Sequence, residues 1–214
     1  MRKLTVSCET PLTAGIAAEL AQSAYGTIVL PFAAAGDAAL RENIARLREG
    51  QIVRNVLFAL RERIDCGVLA AAIDHYAVDG VDLQAEEVAG LVDFVAGMGK
   101  LVIASPSSNL PFWIDVLRAT GRRMRWWNLQ LGNRCEYAAW IAAIAESGVM
   151  SAEEAREFVV PGYRASCSTP EFVAYDIEGI RLLAGGIGGV FLRRYEDVRP
   201  RAADWARAVA LAAV

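Results

Sequence analysis

Histidine and paired cysteines are scarce in this sequence, and their scarcity argues against two classes of site. The 214 residues include a single histidine, His75, and four cysteines that form no C-x-x-C pair. Neither a zinc site nor a disulfide framework is therefore indicated, and we predict no metal and no cofactor. We expect the thiols to be buried and reduced, because free cysteine is among the most buried residue types. The cysteines are Cys8, Cys66, Cys135 and Cys167.

Clustered charge and long apolar runs are also lacking. The formal net charge is -3 and the basic residues are dispersed, which is not the electrostatic footprint of a nucleic-acid-binding protein. No uninterrupted apolar stretch reaches the roughly 18 residues that a membrane span needs. Glu9 and Pro11 interrupt the N-terminal region before the apolar core of a secretion signal could form. We expect a cytoplasmic protein that binds a small molecule, and no particular oligomeric state is indicated.

Short apolar runs alternate with helical stretches along the whole chain, which is typical of βα units around a parallel sheet. Eight units of roughly 27 residues favour a single compact (β/α)₈ TIM barrel with short loops over residues 1–214. An open doubly wound sheet is the alternative, because periodicity does not show closure. The predicted strands are 3–8, 27–32, 54–60, 79–84, 100–105, 125–131, 157–161 and 189–193. The predicted helices are about 11–25, 37–49, 64–77, 86–98, 110–121, 134–147, 170–184 and 201–213.

The fourth predicted strand carries polar residues on one face. Alternate residues of a barrel strand point into the lumen, so Val81 and Leu83 face outward while Asp82, Gln84 and Glu86 face inward. Three polar side chains on one lumen face are costly to bury without partners. Barrel enzymes keep their chemistry at the carboxyl ends of the strands. We therefore predict the functional site at the end of this strand.

The segment 79–86, with the sequence DGVDLQAE, is similar to the D-G-x-D-x-D-x-E strand of glycoside hydrolase family 18. That family contains chitinases and endo-N-acetylglucosaminidases, and the resemblance extends from about residue 54 onward. In the family, the last Glu protonates the glycosidic oxygen while the N-acetyl oxygen of the substrate attacks the anomeric carbon. The resemblance implies that Glu86 is the general acid. It also implies that Gln84 takes the place of the Asp that holds the acetamido group, with Asp82 as a buried carboxylate behind it.

Several positions depart from the family's pattern. Gln84 carries no negative charge, and losing a preorganised charge of this kind typically costs about 10²–10³ in rate. Gly132 stands where the family has a tyrosine that contacts substrate, and Arg193 where it has a tryptophan that stacks on the sugar. The motif is therefore degenerate. We predict a barrel that binds a saccharide or related polar ligand, with chitinase activity lost or much reduced.

Other candidate ligand-binding residues are polar, basic or aromatic side chains near predicted strand ends. Trp126 and its neighbour Trp127 face opposite ways, so core packing of Trp126 is the alternative to sugar stacking. Glu86 is also compatible with an exposed acid at the start of a helix, where the helix dipole favours it. His75 is expected at the surface. The candidates are Glu9, Phe32, Arg61, Trp126, Gln130, Tyr163 and Arg193.

Two other functions are compatible with the same residues. The first is an active glycosidase on a glycan that contains N-acetylglucosamine, with Glu86 as general acid and Glu9 or Glu62 supplying charge. The second is an unrelated TIM-barrel enzyme that acts on an anionic metabolite. Steep salt dependence of ligand binding would favour the second alternative. Its predicted anion-binding residues are Arg61, Arg164 and Arg193.

Overall fold

Eight parallel strands form a closed barrel in the order β1 to β8, and β8 pairs with β1. The computed structural model describes residues 3–130 and 134–210, apart from the side chain of Ala34. The predicted (β/α)₈ barrel is confirmed, and the open-sheet alternative is wrong. The strands are β1 (Lys3–Ser7), β2 (Thr27–Pro31), β3 (Asn55–Leu60), β4 (Gly80–Leu83), β5 (Leu101–Ala104), β6 (Met124–Leu129), β7 (Val159–Arg164) and β8 (Gly189–Arg193).

Helices form the outer layer, and several begin at a residue whose side chain accepts a hydrogen bond from the first turn. Thr13, Asp65 and Thr169 cap α1, α3 and α8 in this way. The helices are α1 (Ala14–Ala21), α2 (Leu40–Glu49), α3 (Cys66–Tyr76), α4 (Val92–Gly97), α5 (Leu110–Thr120), α6 (Arg134–Glu146), α7 (Ala152–Phe158), α8 (Pro170–Ala184), α9 (Tyr195–Val198) and α10 (Ala202–Ala210).

Three regions differ from the predicted helices. α7 and α9 are additional to the predicted set, and α7 begins at a capping box between Ser151 and Glu154. The predicted helix 86–98 begins instead as a 3₁₀ segment, Glu86–Leu91, which leads into α4. Among the described helices, none combines the length and the apolarity that crossing a bilayer requires.

Strand β6 contains a β-bulge that decides which of its side chains enter the lumen. Val102 of β5 pairs with Met124, whereas Ala104 pairs with Trp127, so β6 has one extra residue between the two pairs. Trp127 consequently packs in the helix layer, edge-on to Trp140 of α6. Residues 126, 128 and 130 are left on the opposite face, which lines the lumen.

The cysteines do not share one environment. Cys8 is buried, as predicted, at the end of β1. Cys66, Cys135 and Cys167 are exposed, so the prediction of buried thiols is wrong for these three. Cys66 and Cys135 lie near the first turns of α3 and α6, and Cys167 lies in the loop after β7. Chain hydrophobicity does not reveal which face of a helix or loop a single cysteine occupies.

We expect Gly162→Ala to lower the free energy of unfolding by about 1–3 kcal/mol, as overpacked core positions do. A Cβ atom at Gly162 in β7 would overlap the carbonyl oxygen of Leu129 and lie 2.9 Å from Cδ1 of Phe191. Gly97→Ala is the control, because a Cβ there meets nothing within 4 Å. Urea unfolding measures both variants. Equal stability of the two would contradict the close strand approach at Gly162.

Candidate functional site

A pocket of about 640 Å³ opens at the carboxyl ends of the strands. We call it the mouth pocket. Residues from β3, β4, β6, β7 and β8, or from the positions just after them, line it. No carboxylate among the described residues lines the pocket. Its polar side chains include three guanidinium groups and two amides, from Arg61, Arg164, Arg193, Gln84 and Gln130.

A closed ring of hydrogen bonds borders the mouth pocket and joins it to the barrel lumen. It connects side chains from six of the eight strands or their ends, and we call it the mouth ring. One backbone carbonyl, that of Ser105, completes it. The members are Glu9, Arg61, Asp82, Gln84, Ser105, Gln130 and Arg193.

Gln84 is the bridging member of the mouth ring. Its Nε2 donates to Oδ2 of Asp82 at 2.8 Å, and its Oε1 accepts from Nε of Arg61 at 2.8 Å. Ser105 Oγ lies 2.8 Å from each carboxylate oxygen of Asp82. An ionised carboxylate only accepts hydrogen bonds. An aspartate at position 84 therefore could not donate to Asp82 as the amide does.

The other half of the ring is centred on Glu9. Oε1 of Glu9 accepts from Nη2 of Arg61 at 2.8 Å and from Nε of Arg193 at 3.5 Å. Nη1 of Arg193 donates to Oε1 of Gln130, whose Nε2 donates to the carbonyl oxygen of Ser105 at 2.9 Å. Glu9 thus pairs with two guanidinium groups. Gln130 connects Arg193 to the backbone of Ser105 and so closes the mouth ring.

Asp82 is completely buried beneath Gln84. Burial raises the pKa of Asp82 to about 6, although hydrogen bonds from Gln84 and Ser105 and the charges of Arg61 and Arg193 oppose this. Desolvation therefore outweighs the favourable partners. The Asp82 carboxyl group therefore changes its protonation state near pH 6.

For Glu9, near the pocket opening, the neighbouring charges outweigh the effect of burial on the pKa, unlike for Asp82. Burial acts against ionisation of Glu9, but the hydrogen bond and charge of Arg61, together with Arg193, lower the pKa of Glu9 overall. Burial lowers the pKa of Arg193, with Glu9 opposing and the charges of Arg164 and Arg61 adding to the shift. Arg164 is exposed at the end of β7, and its side chain has no hydrogen bond or ion pair with the described residues. Of the three arginines that line the mouth pocket, Arg164 is therefore the one whose side chain is available to a ligand.

Glu86, the predicted general acid, is not brought together with the mouth ring. β4 ends at Leu83, and Glu86 opens the following 3₁₀ segment. Its side chain is exposed and accepts a hydrogen bond from Nδ2 of Asn109 at 2.9 Å. It does not line the mouth pocket. The alternation that places Asp82 and Gln84 in the lumen stops where the chain ceases to be extended.

Phe32 and Trp126 also lie apart from the mouth ring. Phe32 packs edge-on against Phe58 with ring centroids 5.5 Å apart, and Phe58 contacts Tyr76 of α3. Phe32 therefore belongs to the layer between strands and helices. Trp126 is nearly buried at the amino end of β6, and its Nε1 donates to Oδ1 of Asn128 at 3.0 Å. It lines a separate pocket at the amino ends of the strands.

Tyr163 borders the mouth pocket, but its hydroxyl group points away from it. The hydroxyl donates to Oδ2 of Asp176 in α8 at 2.9 Å. Burial raises the pKa of Tyr163, and the charge of Asp176 adds to this. Tyr163 therefore contributes a wall of the pocket and stays protonated.

Sequence reasoning missed Ser105 as a site residue, as well as Ser107 and Cys167, which line the mouth pocket. Alternation along the fifth predicted strand could have indicated Ser105 as a lumen-facing position. Nothing local indicated Ser107 or Cys167, which lie in loops. Gly132 lies outside the described residues. Within residues 3–130 and 134–210, no group of three or more His, Cys, Asp or Glu side chains is arranged to hold a metal ion.

Comparison with known proteins supports the barrel and no narrower identity. No protein-family profile and no curated protein sequence matches the chain. Solved structures do match. An endo-β-N-acetylglucosaminidase from Cordyceps militaris is 12% identical with a TM-score of 0.64, over 99% of this chain and 91% of that one. A chitinase from Ipomoea carnea is 12% identical with a TM-score of 0.64, over 97% of this chain and 100% of that one.

An isomerase with the same architecture is equally similar. Phosphoribosylanthranilate isomerase from Thermotoga maritima is 12% identical with a TM-score of 0.64, over 99% of this chain and 98% of that one. Glycosidases and an enzyme named for a phosphorylated compound therefore resemble the chain to the same degree. At this identity the likeness shows the fold alone.

Proposed function

We propose that this barrel binds a small polar ligand with a carboxylate, sulfate or phosphate group in the mouth pocket, without cleaving glycosidic bonds as chitinases do. One observation carries the proposal: three arginines and no carboxylate of the described residues line the pocket. The planar guanidinium group matches carboxylate and phosphate in geometry and can bind either through two parallel hydrogen bonds. An acidic or phosphorylated saccharide satisfies both this chemistry and the resemblance of the β4 motif.

The arginines differ in how much of their hydrogen-bonding capacity is already used. A guanidinium group has five N–H donors. Arg61 and Arg193 each spend two N–H-bearing nitrogens on the mouth ring, whereas Arg164 spends none on the described residues. The ring therefore fixes the orientation of two cations, and the third is available to an incoming anion. Preorganisation of this kind lowers the cost of binding.

The same geometry argues against family-type hydrolysis. Glu86 lies outside the mouth pocket, and Gln84 is held between Asp82 and Arg61. A general acid must come within hydrogen-bonding reach of the glycosidic oxygen. A ligand held by the arginines would lie on the other side of Gln84 from Asp82, whose carboxylate is buried.

A glycosidase acting on a neutral N-acetylglucosamine-containing glycan is the second candidate. It is favoured by the position of the motif, since β4 places Asp82 in the lumen directly below the mouth pocket. This candidate requires Glu86 to reach the substrate. It predicts product release from a chromogenic N-acetylglucosaminide that disappears in Glu86→Gln, and we expect no such release.

We expect Arg164→Ala to weaken the binding of anions by about 10- to 100-fold, because hydrogen bonds to charged groups contribute about 1.5–3 kcal/mol. Isothermal titration calorimetry with glucuronate and glucose 6-phosphate measures the affinity, and glucose is the uncharged comparison. Arg164 is the best variant because it lies outside the mouth ring. The affinity should also fall as salt is added.

Arg125→Ala is the matched control. Arg125 is an exposed arginine near the amino end of β6, beside the separate pocket that contains Trp126. Its removal changes the net charge by the same amount as Arg164→Ala and should leave anion binding unchanged. Binding of neutral N-acetylglucosamine oligomers, together with no binding of either anion, would contradict the proposed function.

A further inference from the structure

The mouth ring connects the anion-binding arginines to a buried group that can take up a proton. Asp82 touches the amide of Gln84, and the guanidinium group of Arg61 lies on the other side of that amide. A role for this connection rests on the proposed function, because it concerns the same pocket. It concerns a proton that is taken up together with the anion.

The charged groups that face Asp82 come from two strands. Arg61 follows β3 and Arg193 ends β8, and both favour the ionised form of Asp82. Glu9, after β1, lies beyond them and is bound to both. From β5 and β6 the neighbours are the uncharged side chains of Ser105 and Asn128. The ionised state of Asp82 therefore depends on two of the three arginines that line the proposed anion site, Arg61 and Arg193.

We propose that the mouth pocket binds its anion together with one proton, and that Asp82 receives this proton. An anion at Arg61 and Arg193 cancels much of the attraction that these cations exert on the Asp82 carboxylate. The buried carboxylate then lacks sufficient compensation and takes a proton from the solvent. One O–H bond forms on Asp82, and no other covalent bond changes.

The hydrogen bonds around Asp82 fit both protonation states. When Asp82 is ionised, Ser105 Oγ and Gln84 Nε2 donate to it. When it is protonated, its new O–H group can donate to Ser105 Oγ, because a hydroxyl group also accepts. Gln84 Nε2 continues to donate to Oδ2, and Ser105 Oγ, which lies 2.8 Å from Oδ2 as well, can donate its own proton there. Protonation therefore leaves no buried polar atom of Asp82, Gln84 or Ser105 without a partner.

The pKa of Asp82, which burial raises to about 6, sets the pH range of the effect. Anion binding removes part of the opposing influence of Arg61 and Arg193, so it raises the pKa of Asp82 further. By linkage, anion affinity then increases as pH falls towards about 6 and levels off below it. A site without this coupling would show no such dependence for an anion of constant charge.

The test is calorimetric titration with sulfate, whose charge does not change across this pH range. We expect the affinity to rise about tenfold between roughly pH 8 and pH 6, within the usual range of coupling between two sites. Near pH 7 the measured enthalpy should change with the ionisation enthalpy of the buffer, which shows net proton uptake. Asp82→Asn should bind sulfate with neither the pH dependence nor the proton uptake.

His75→Gln is the matched control, since His75 is exposed on α3 and outside the mouth pocket. It should retain the pH dependence of the unaltered protein. Sulfate binding with constant affinity and no proton uptake would overturn the inference and leave the proposed function standing. Absence of binding for sulfate, glucuronate and glucose 6-phosphate would overturn both.

A second measurement does not depend on the folding of the Asp82→Asn variant. Infrared difference spectra of the protein with ¹³C-labelled aspartate should show a carboxylate band replaced by a protonated carboxyl band when sulfate is added near pH 7. Unchanged aspartate bands in a sulfate-saturated sample would contradict proton uptake by Asp82.

Discussion

Gln84→Asp, which completes the chitinase-family motif, is expected to destabilise the protein by about 2–4 kcal/mol near pH 8 and to produce no glycosidase activity. The substitution removes the N–H donor that Asp82 receives from Gln84. It also adds a second carboxylate next to a buried one, and its shorter side chain retreats from Arg61. Urea unfolding measures the stability, and a chromogenic N-acetylglucosaminide measures turnover.

Two variants at the same position separate charge from shape. Gln84→Asn keeps an amide and loses one methylene group, so we expect a smaller loss of stability than for Gln84→Asp. Gln84→Glu keeps the length and the acceptor for Arg61 but places two carboxylates together. Its stability should recover as pH falls, because neighbouring carboxylates then share a proton.

The outcome that would contradict this expectation is turnover. Clear product release by Gln84→Asp, abolished when Glu86→Gln is added, would identify a decayed glycosidase whose acid reaches the substrate. The proposed function would then be wrong. Stability equal to that of the unaltered protein would instead show that the hydrogen bonds of Gln84 contribute little.

Asp82→Asn is expected to raise the free energy of unfolding above pH 6 and to flatten its dependence on pH. The pKa of Asp82 is raised in the folded protein, so its contribution to stability is fully present below the unfolded value near 3.8 and is lost as pH rises through about 6. The difference between these values corresponds to roughly 3 kcal/mol at alkaline pH. Asparagine has nearly the same shape and never ionises.

The measurement compares urea unfolding of the two proteins near pH 5 and near pH 8. The stability advantage of Asp82→Asn should be larger at the higher pH. Asp74→Asn, at an exposed position of α3, is the control and should change stability little at either pH. An Asp82→Asn protein that loses stability with rising pH as steeply as the unaltered one would show that the buried carboxyl group does not cause the effect.

The fold could be predicted because the alternation of apolar runs and helical stretches is a local signal repeated eight times. The boundaries of individual helices and strands are harder to predict where one element follows another without a loop. α7 ends at Phe158 and β7 starts at Val159, so the predicted strand 157–161 began inside a helix and ended too early. An apolar run of this length fits the end of a helix as well as a strand.

The candidate site was predicted only in part. Strand alternation correctly indicated that Asp82 and Gln84 face the lumen, since both lie on or directly after an extended strand. The predicted inward orientation of the Glu86 side chain was wrong, because the 3₁₀ segment that starts at Glu86 ends the alternation. Alternation also does not give the height of a residue along the barrel axis. Trp126 faces the lumen at the amino end, far from the predicted site.

The mouth ring itself could not be predicted from local patterns. Its hydrogen bonds join residues that are 23 to 184 positions apart along the chain, except for the one between Asp82 and Gln84. Which donor meets which acceptor depends on the closure of the barrel and on the bulge in β6. A side-chain pattern read along one strand contains neither of these.

The ring is shared between the two halves of the chain in a way that matters for fragment complementation. A cut between β4 and β5 would leave both ring carboxylates with one arginine on the first fragment and the other arginine on the second. Each fragment alone would carry polar groups without hydrogen-bond partners. The missing partners lie on the other fragment, which would favour pairing of the two different fragments over aggregation of like ones. Recovery of anion binding would then report reconstitution of the whole barrel. The first fragment carries Glu9, Arg61, Asp82 and Gln84, and the second carries Ser105, Gln130 and Arg193.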